Sequence, residues 1–334
     1  MKWERQHGRY PRDPRLGHRP GLSYIPENQE DLLRDLYTTS DGYVSLTSSS
    51  DASGLSKGKS IVILGGSTSM GLGASSNENT IAAILQNLMT IDGYEHTVVN
   101  AACASYCSWQ ELIRFALEIS HLKPEIVISC SGYNDFMHSS LGDKYSGEWV
   151  RNHDRSIEDL ADLIINRDKT SNFRHLFNSL KRFPLINAII RACYKIFSRK
   201  NYSAKDLVYE KDKWTFSARP WASDNYVHNM VQINSIVNGY GGNFFTFIQP
   251  HPNDNLNSNN HVGEEVRNMY AKYPDMRSAE HAFFDRLAFL IKSHDFIHES
   301  PILPAECFVD RVHLSDLGQF QMASFIYAKI RECI

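Results

Sequence analysis

The chain has 334 residues, 42% of them hydrophobic and 22% charged, with a formal net charge of −3. That is the balance of a soluble globular protein long enough for one large domain or two, with no electrostatic footprint for nucleic acid and no window near the roughly 20 apolar residues of a spanning helix. The polar N-terminus lacks the apolar core of a secretory signal, and the six cysteines form neither a dense disulfide framework nor a zinc-ligand spacing. The chain therefore reads as cytoplasmic with reduced thiols, although trimming of an N-terminal anchor would leave the same sequence.

Residues 1–58 are rich in Pro, Gly, Arg, Ser and Asp. They read as an extended segment packed on the domain, with a short helical candidate at Asp31–Tyr37 and a serine-rich loop at Ser45–Ser56. Ile61, Val62, Ile63 and Leu64 then make a β-branched apolar run of the kind buried on both faces of a parallel sheet. Gly65 and Gly66 permit a tight turn, and Ser67 follows at the carboxyl end of that strand, where open α/β sheets bind ligands. The apolar helical pattern from Thr80 to Met89 completes strand, turn and helix. A phosphate-cradling loop would need lysine where Leu72 stands, and a dinucleotide turn would need glycine where Ser76 stands.

Further along, His96–Asn100 reads as a second strand and Ser108–Ile119 as a helix with Leu112, Phe115, Ala116 and Ile119 on one face. Pro124–Cys130 is a third buried strand, ending in Ser131-Gly132-Tyr133-Asn134-Asp135. Strands alternating with helices predict βαβ units and a three-layer α/β/α sandwich around a mainly parallel sheet. Residues 137–225 break the rhythm as a helical, cap-like insertion, with candidates at Ser156–Ile165 and Asn172–Arg199. The second carries an apolar stripe from Phe173 to Phe197 and a basic face that includes Lys181, Arg182, Lys195 and Arg199. An ordinary solvated face is the first reading of those charges and contact with a membrane surface the second. A helix at 226–240, a fourth parallel strand at Asn243–Ile248 and a loop through Gln249–Pro252 follow. Residues 253–275 read as polar loop, 276–293 as helix and 294–298 as a short strand. A last helix runs from an N-capping Ser315 to Ile330.

Cleaving an ester with a serine requires a base within hydrogen-bond reach, a partner that orients the base, and donors for the oxyanion. Asp310, three residues before His313, can fold back onto the imidazole Nδ1–H and leave Nε2 free for Ser67. The backbone N–H near Ser105 and the side-chain amide of Asn134 are candidate donors at the ends of the second and third strands. Each residue alone also fits a plainer role: turn serine, capping aspartate, surface histidine, turn asparagine. Their order along the chain and their position, at carboxyl ends of parallel strands or in the loop before the last helix, favour the chemistry.

These residues carry a resemblance to the SGNH hydrolases, the GDSL-type esterase and lipase superfamily. Gly65-Gly66-Ser67 is similar to its first block in the bacterial branch with glycine in place of aspartate. Asn100 through Tyr106 resembles the second block, with Ser105 where glycine is usual. Gly132-Tyr133-Asn134-Asp135 matches the third block in full, and Asp310 with His313 matches the last. The resemblance covers about residues 58–135 and 243–332 and leaves 137–240 unexplained. It implies Ser67 as nucleophile, His313 as base and Asp310 as its orienter. It also implies an oxyanion hole from the Ser67 and Ser105 N–H groups and the Asn134 amide, with no metal or organic cofactor. The α/β-hydrolase elbow fits less well, since Ser69 replaces its final glycine. Removal of a small acyl group, acetyl first, from a carbohydrate ranks ahead of lipid esterase, acyltransferase and non-catalytic binding module. The oligomeric state is not legible.

Overall fold

The computed structural model describes residues 12–13, 17–18, 36–40, 42–47, 59–140, 216–251 and 259–334. By internal contacts the chain divides into one unit of Met1–Ser146 with Thr215–Ile334, and a second of Gly147–Trp214. The second unit lies outside the described residues, and with it the candidates Ser156–Ile165 and Asn172–Arg199. It is narrower than the expected insertion at 137–225, because helices at both margins belong to the first unit.

Five strands form the sheet of the first unit: β1 (Ser60–Gly65), β2 (Thr97–Asn100), β3 (Ile126–Ser131), β4 (Asn243–Ile248) and β5 (Ile297–His298). They pair in the order β2-β1-β3-β4-β5, and every pair is parallel. The order of strands reverses between β1 and β3, so a crevice opens beyond their carboxyl ends. Register puts Leu64 opposite Ser129 and Gly65 opposite Cys130, so both strands finish at the same level.

Among the described residues the helices are α1 (Ser67–Met70), α2 (Ile81–Ile91), α3 (Ser108–Arg114), α4 (Tyr133–Ser140), α5 (Pro220–Gly239), α6 (His261–Lys272), α7 (Pro274–Leu290) and α8 (Asp316–Ile330). They cover both faces of the sheet. Ile61 and Ile63 of β1 and Ile126 and Ile128 of β3 share a core with Ile81, Leu85 and Met89 of α2 and Met322 and Ile326 of α8. The intervening residues of each strand point to the opposite layer. There α5 packs on α3, α7 and β4. Ile61, Val62, Ile63 and Leu64 are all buried, each contributing about 1.5–3 kcal/mol. That two-sided burial is why β1 takes a central position.

The alternating pattern expected from the sequence is present, with two corrections. The segment 253–275, expected as polar loop, contains α6, capped by the Asn260 side chain accepting from the Gly263 N–H at 3.0 Å. Only Val262, Gly263 and Val266 of it are buried, so its apolar stripe was too narrow to read. The helix expected from 226 begins at Pro220, where a missing N–H costs nothing in the first turn. Two further differences are smaller. α4, which follows the third strand directly, had no separate sequence signal. The helix from Ser108 ends at Arg114, and a wider turn over Phe115–Ile119 continues it.

Of the N-terminal segment, Leu36 and Tyr37 of the helical candidate Asp31–Tyr37 are described and are not helical. Val44 donates its N–H to the Asn100 carbonyl at 2.9 Å, so this part of the segment lies along β2. Among the described residues no helix is long and apolar enough to cross a membrane.

Candidate active site

The sharp turn after β1 has a steric cause at each glycine. Gly65 adopts φ +135°, and a Cβ there would lie 2.3 Å from Ser69 Oγ and 2.7 Å from the Cys130 carbonyl. Gly66 has ordinary φ, but a Cβ on it would lie 2.5 Å from the Asn134 amide nitrogen. Glycine at position 66 thus lets the third block close onto the first. Ser67 is the first residue of α1 and stands half-buried at the crevice. Its N–H has no carbonyl to bond within that turn.

The downstream half of the site arrives on the loop between β5 and α8. His313 Nε2 lies 2.9 Å from Ser67 Oγ, and His313 Nδ1 lies 2.7 Å from Asp310 Oδ2. The other Asp310 oxygen accepts the backbone N–H groups of Val312 at 2.8 Å and His313 at 2.7 Å. The carboxylate thereby orients the ring and winds the loop at once. Burial alone would raise the Asp310 carboxyl. The hydrogen bond from His313 and its charge, with the two backbone donors, outweigh that and hold it at about 2. It is an anion throughout the neutral range, as an imidazole partner requires.

Two loops far apart in sequence meet here, and several residues hold them together. Thr68 Oγ1 donates to the Val312 carbonyl at 3.1 Å, which also accepts from Gln249 Nε2 at 3.4 Å. A Cβ on Gly73 would lie 2.5 Å from the Leu314 carbonyl, so the two backbones approach where only glycine fits. Asp316 accepts from the Ser75 N–H at 2.8 Å and the Ser75 hydroxyl at 2.6 Å. Ser315 caps α8 as expected, its side chain accepting from the Gly318 N–H.

On the other side, the buried Asn100 side chain donates to the carbonyls of Ser69 and Met70, at 3.1 and 3.2 Å, and fixes the end of α1. The loop after β2 carries Ser105 with φ +66°, a left-handed conformation that favours glycine. Asn134 Nδ2 donates to the Tyr106 carbonyl at 2.9 Å, which leaves the second N–H of that amide for another acceptor. Ser69, another hydroxyl near Ser67, is buried and donates to the Cys130 carbonyl at 2.6 Å.

The five residues singled out from the sequence thus occupy the carboxyl ends of β1, β2 and β3 and the loop before α8. Ser67, His313 and Asp310 form one hydrogen-bonded line. Thr68, Gln249, Gly73 and Asp316 were not singled out; their work is to join two loops, which no local pattern announces. Ser67 Oγ beside an unhindered Nε2 can give up its proton as it attacks an electrophilic carbon.

Comparison with protein-family models finds no match, and no curated protein matches. Among solved structures, TesA is 13% identical, over 82% of this chain and 99% of that chain, with a TM-score of 0.45. The psychrotrophic esterase EstA from Pseudoalteromonas sp. is 12% identical, over 82% and 98%, at 0.42. The acetyl xylan esterase AlAXEase is 12% identical, over 81% and 99%, at 0.37. The substrates in those names stay with those proteins. The resemblance of this chain to the SGNH hydrolases lies in its four blocks, three at adjoining strand ends of the parallel sheet and the fourth in the loop before α8.

Proposed function

We propose that the chain is a carboxylic ester hydrolase working through an acyl-enzyme on Ser67, with His313 as general base and Asp310 as its orienter. The observation that carries this reading is the unbroken line from Ser67 Oγ through both imidazole nitrogens to a carboxylate, at 2.9 and 2.7 Å. His313 Nε2 takes the Ser67 proton as Oγ attacks the acyl carbon, and Asp310 stabilises the imidazolium. Collapse of the tetrahedral intermediate breaks the bond to the alcohol oxygen, which receives the proton from Nε2. A water then repeats the sequence: His313 takes its proton, the ester to Ser67 breaks, and the carboxylic acid leaves. The N–H groups of Ser67 and Ser105 and the free N–H of Asn134 are the donors assigned to the oxyanion; each is typically worth about 100- to 1000-fold in rate.

For the substrate we propose a carbohydrate O-acetyl ester. A second reading, an ester with a longer apolar chain, draws on an open pocket of about 170 Å3 beyond the ends of β4 and β5, walled by Ile248, Phe284, Leu287, Ile291 and Ile302. Gln249, on its rim, donates to the Val312 carbonyl between Asp310 and His313. The test is the mass of the acyl-enzyme and the kcat/KM for acetylated oligosaccharides, short-chain esters and long-chain esters. Preference for acetyl on sugar supports the first reading, and rates that rise with chain length support the second. No adduct with any of them, together with undiminished turnover by Ser67→Ala, would remove the serine mechanism.

A further inference from the structure

Behind the assigned oxyanion donors lies a polar cluster that the triad does not use. Asp135 follows Asn134 on α4. Its carboxylate accepts the Ser108 backbone N–H at 3.1 and 3.2 Å, and the Ser108 hydroxyl as well. Ser108 is the first residue of α3 and ends the loop that carries Ser105; its hydroxyl also accepts from Asn229 Nδ2 of α5 at 2.8 Å. Loop and helix are therefore pinned twice, by Asn134 to the Tyr106 carbonyl and by Asp135 to Ser108. One turn further along α3, buried Glu111 accepts from Ser129 Oγ at 2.6 Å, while its other oxygen has no partner among the described residues. Neither carboxylate has an ion-pair partner there.

We propose that Asp135 is a positioning residue of the oxyanion hole, its anion holding the Ser105 loop and the Asn134 amide in one arrangement, and that Glu111 supports it in the protonated form. Two anions so close together would repel, and a neutral Glu111 removes the conflict. Burial pushes the Glu111 carboxyl up to about 7, the Asp135 charge adding to it, and burial lifts Asp135 to about 6 against the Ser108 bonds. Among the described residues, the other titratable groups facing the pair are the thiols of Cys107 and Cys130 and the Tyr226 hydroxyl. Burial pushes all three up and holds them neutral. Among the described residues no group opposite the pair supplies a positive charge. Below about pH 6 Asp135 takes up a proton, its grip on Ser108 weakens, and the donors lose their aim.

This rests on the serine esterase reading, which Ser67→Ala tests separately. The experiment is the pH dependence of kcat and KM on an aryl acetate between pH 4.5 and 8, for wild type, Asp135→Asn and Glu111→Gln. In the wild type the acid limb should follow two protons, one of them on Asp135. Asp135→Asn should lower kcat about 10- to 100-fold with KM within two-fold, as misaimed groups do, and leave a one-proton limb. Glu111→Gln imitates the protonated acid and should keep both kcat and the two-proton limb. A one-proton limb in the wild type, an Asp135→Asn variant altered only in KM, or a Glu111→Gln variant as impaired as Asp135→Asn would each overturn the proposal. The side-chain amide signals of Asn134 give a readout that does not need turnover. They should shift through pH 6 in wild type and in Glu111→Gln, and a flat response in the wild type would overturn the proposal as well.

Discussion

Two aspartates on opposite sides of the same crevice have been driven in opposite directions. Asp310 sits on the loop before α8 and is held at about 2; Asp135 sits on α4 and is lifted to about 6. Both are half-buried, and both accept backbone N–H groups. The difference is the remaining partner. Asp310 faces an imidazole that can carry a positive charge, whereas Asp135 faces neutral donors and the buried Glu111 below them. Burial raises a carboxyl, neutral hydrogen bonds recover part of that, and a cation reverses it. One side of the site is therefore built to stay ionised and the other to titrate near neutrality.

The largest effect expected on the triad side is that of Ser67→Ala. Turnover of an aryl acetate should fall below about 1% of wild type with the fold intact. Ser69→Ala, measured alongside, should keep most activity, because the Ser69 hydroxyl is spent on the Cys130 carbonyl. Asp310→Asn comes next: an amide can hold the wrong imidazole tautomer, and kcat should drop about 1000- to 10,000-fold. A fully active variant would detach Asp310 from the reaction. On the other side, Asn134→Ala should cost about 100- to 1000-fold in kcat. It also removes the bond to Tyr106, so the Ser105 loop should show faster amide exchange; unchanged exchange would break the link drawn between the two donors.

Stability against pH separates the two sides by sign. Asp310 has its carboxyl depressed by folding, so its contribution is complete above about pH 4 and fades as pH falls toward 2. Glu111 is raised to about 7, so its contribution is complete below about pH 4.5 and is lost as pH rises through 7. Glu111→Gln should therefore match wild type in unfolding free energy near pH 4.5 and exceed it by about 1–3 kcal/mol at pH 8. Equal denaturation midpoints at pH 8 would contradict the neutral Glu111. The smallest effect is expected at Ser105, where φ is +66°. Ser105→Gly should stabilise by about 0.5–1 kcal/mol, relief of the left-handed strain outweighing the entropy glycine adds to the unfolded chain, with kcat changed less than two-fold.

Much of the frame was legible because its signals are local. A buried β-branched run such as Ile61–Leu64 has few alternatives to a central parallel strand, and Ser315 before an apolar repeat announces a helix start. α6 was not legible, since a helix that buries only one thin edge looks polar. Of the site, Asp310 and His313 could be paired from their spacing of three. Their nearness to Ser67 could be argued only from the rule that parallel strands gather their carboxyl ends.

What the sequence by itself determined is the set of candidate site residues and the order of elements that presents them at one edge of a sheet. Composition, hydrophobic period and turn chemistry act over a few residues, and those are enough for strands, caps and glycine turns. Only the tertiary structure decided why Gly66 must be glycine, that Ser69 is committed to Cys130, and that Thr68 and Gln249 clasp the histidine loop. It also decided the opposite pKa shifts of Asp310 and Asp135. A carboxyl's affinity for a proton is set by what lies within a few ångströms of it, and those neighbours come from strands and helices dozens to hundreds of residues away.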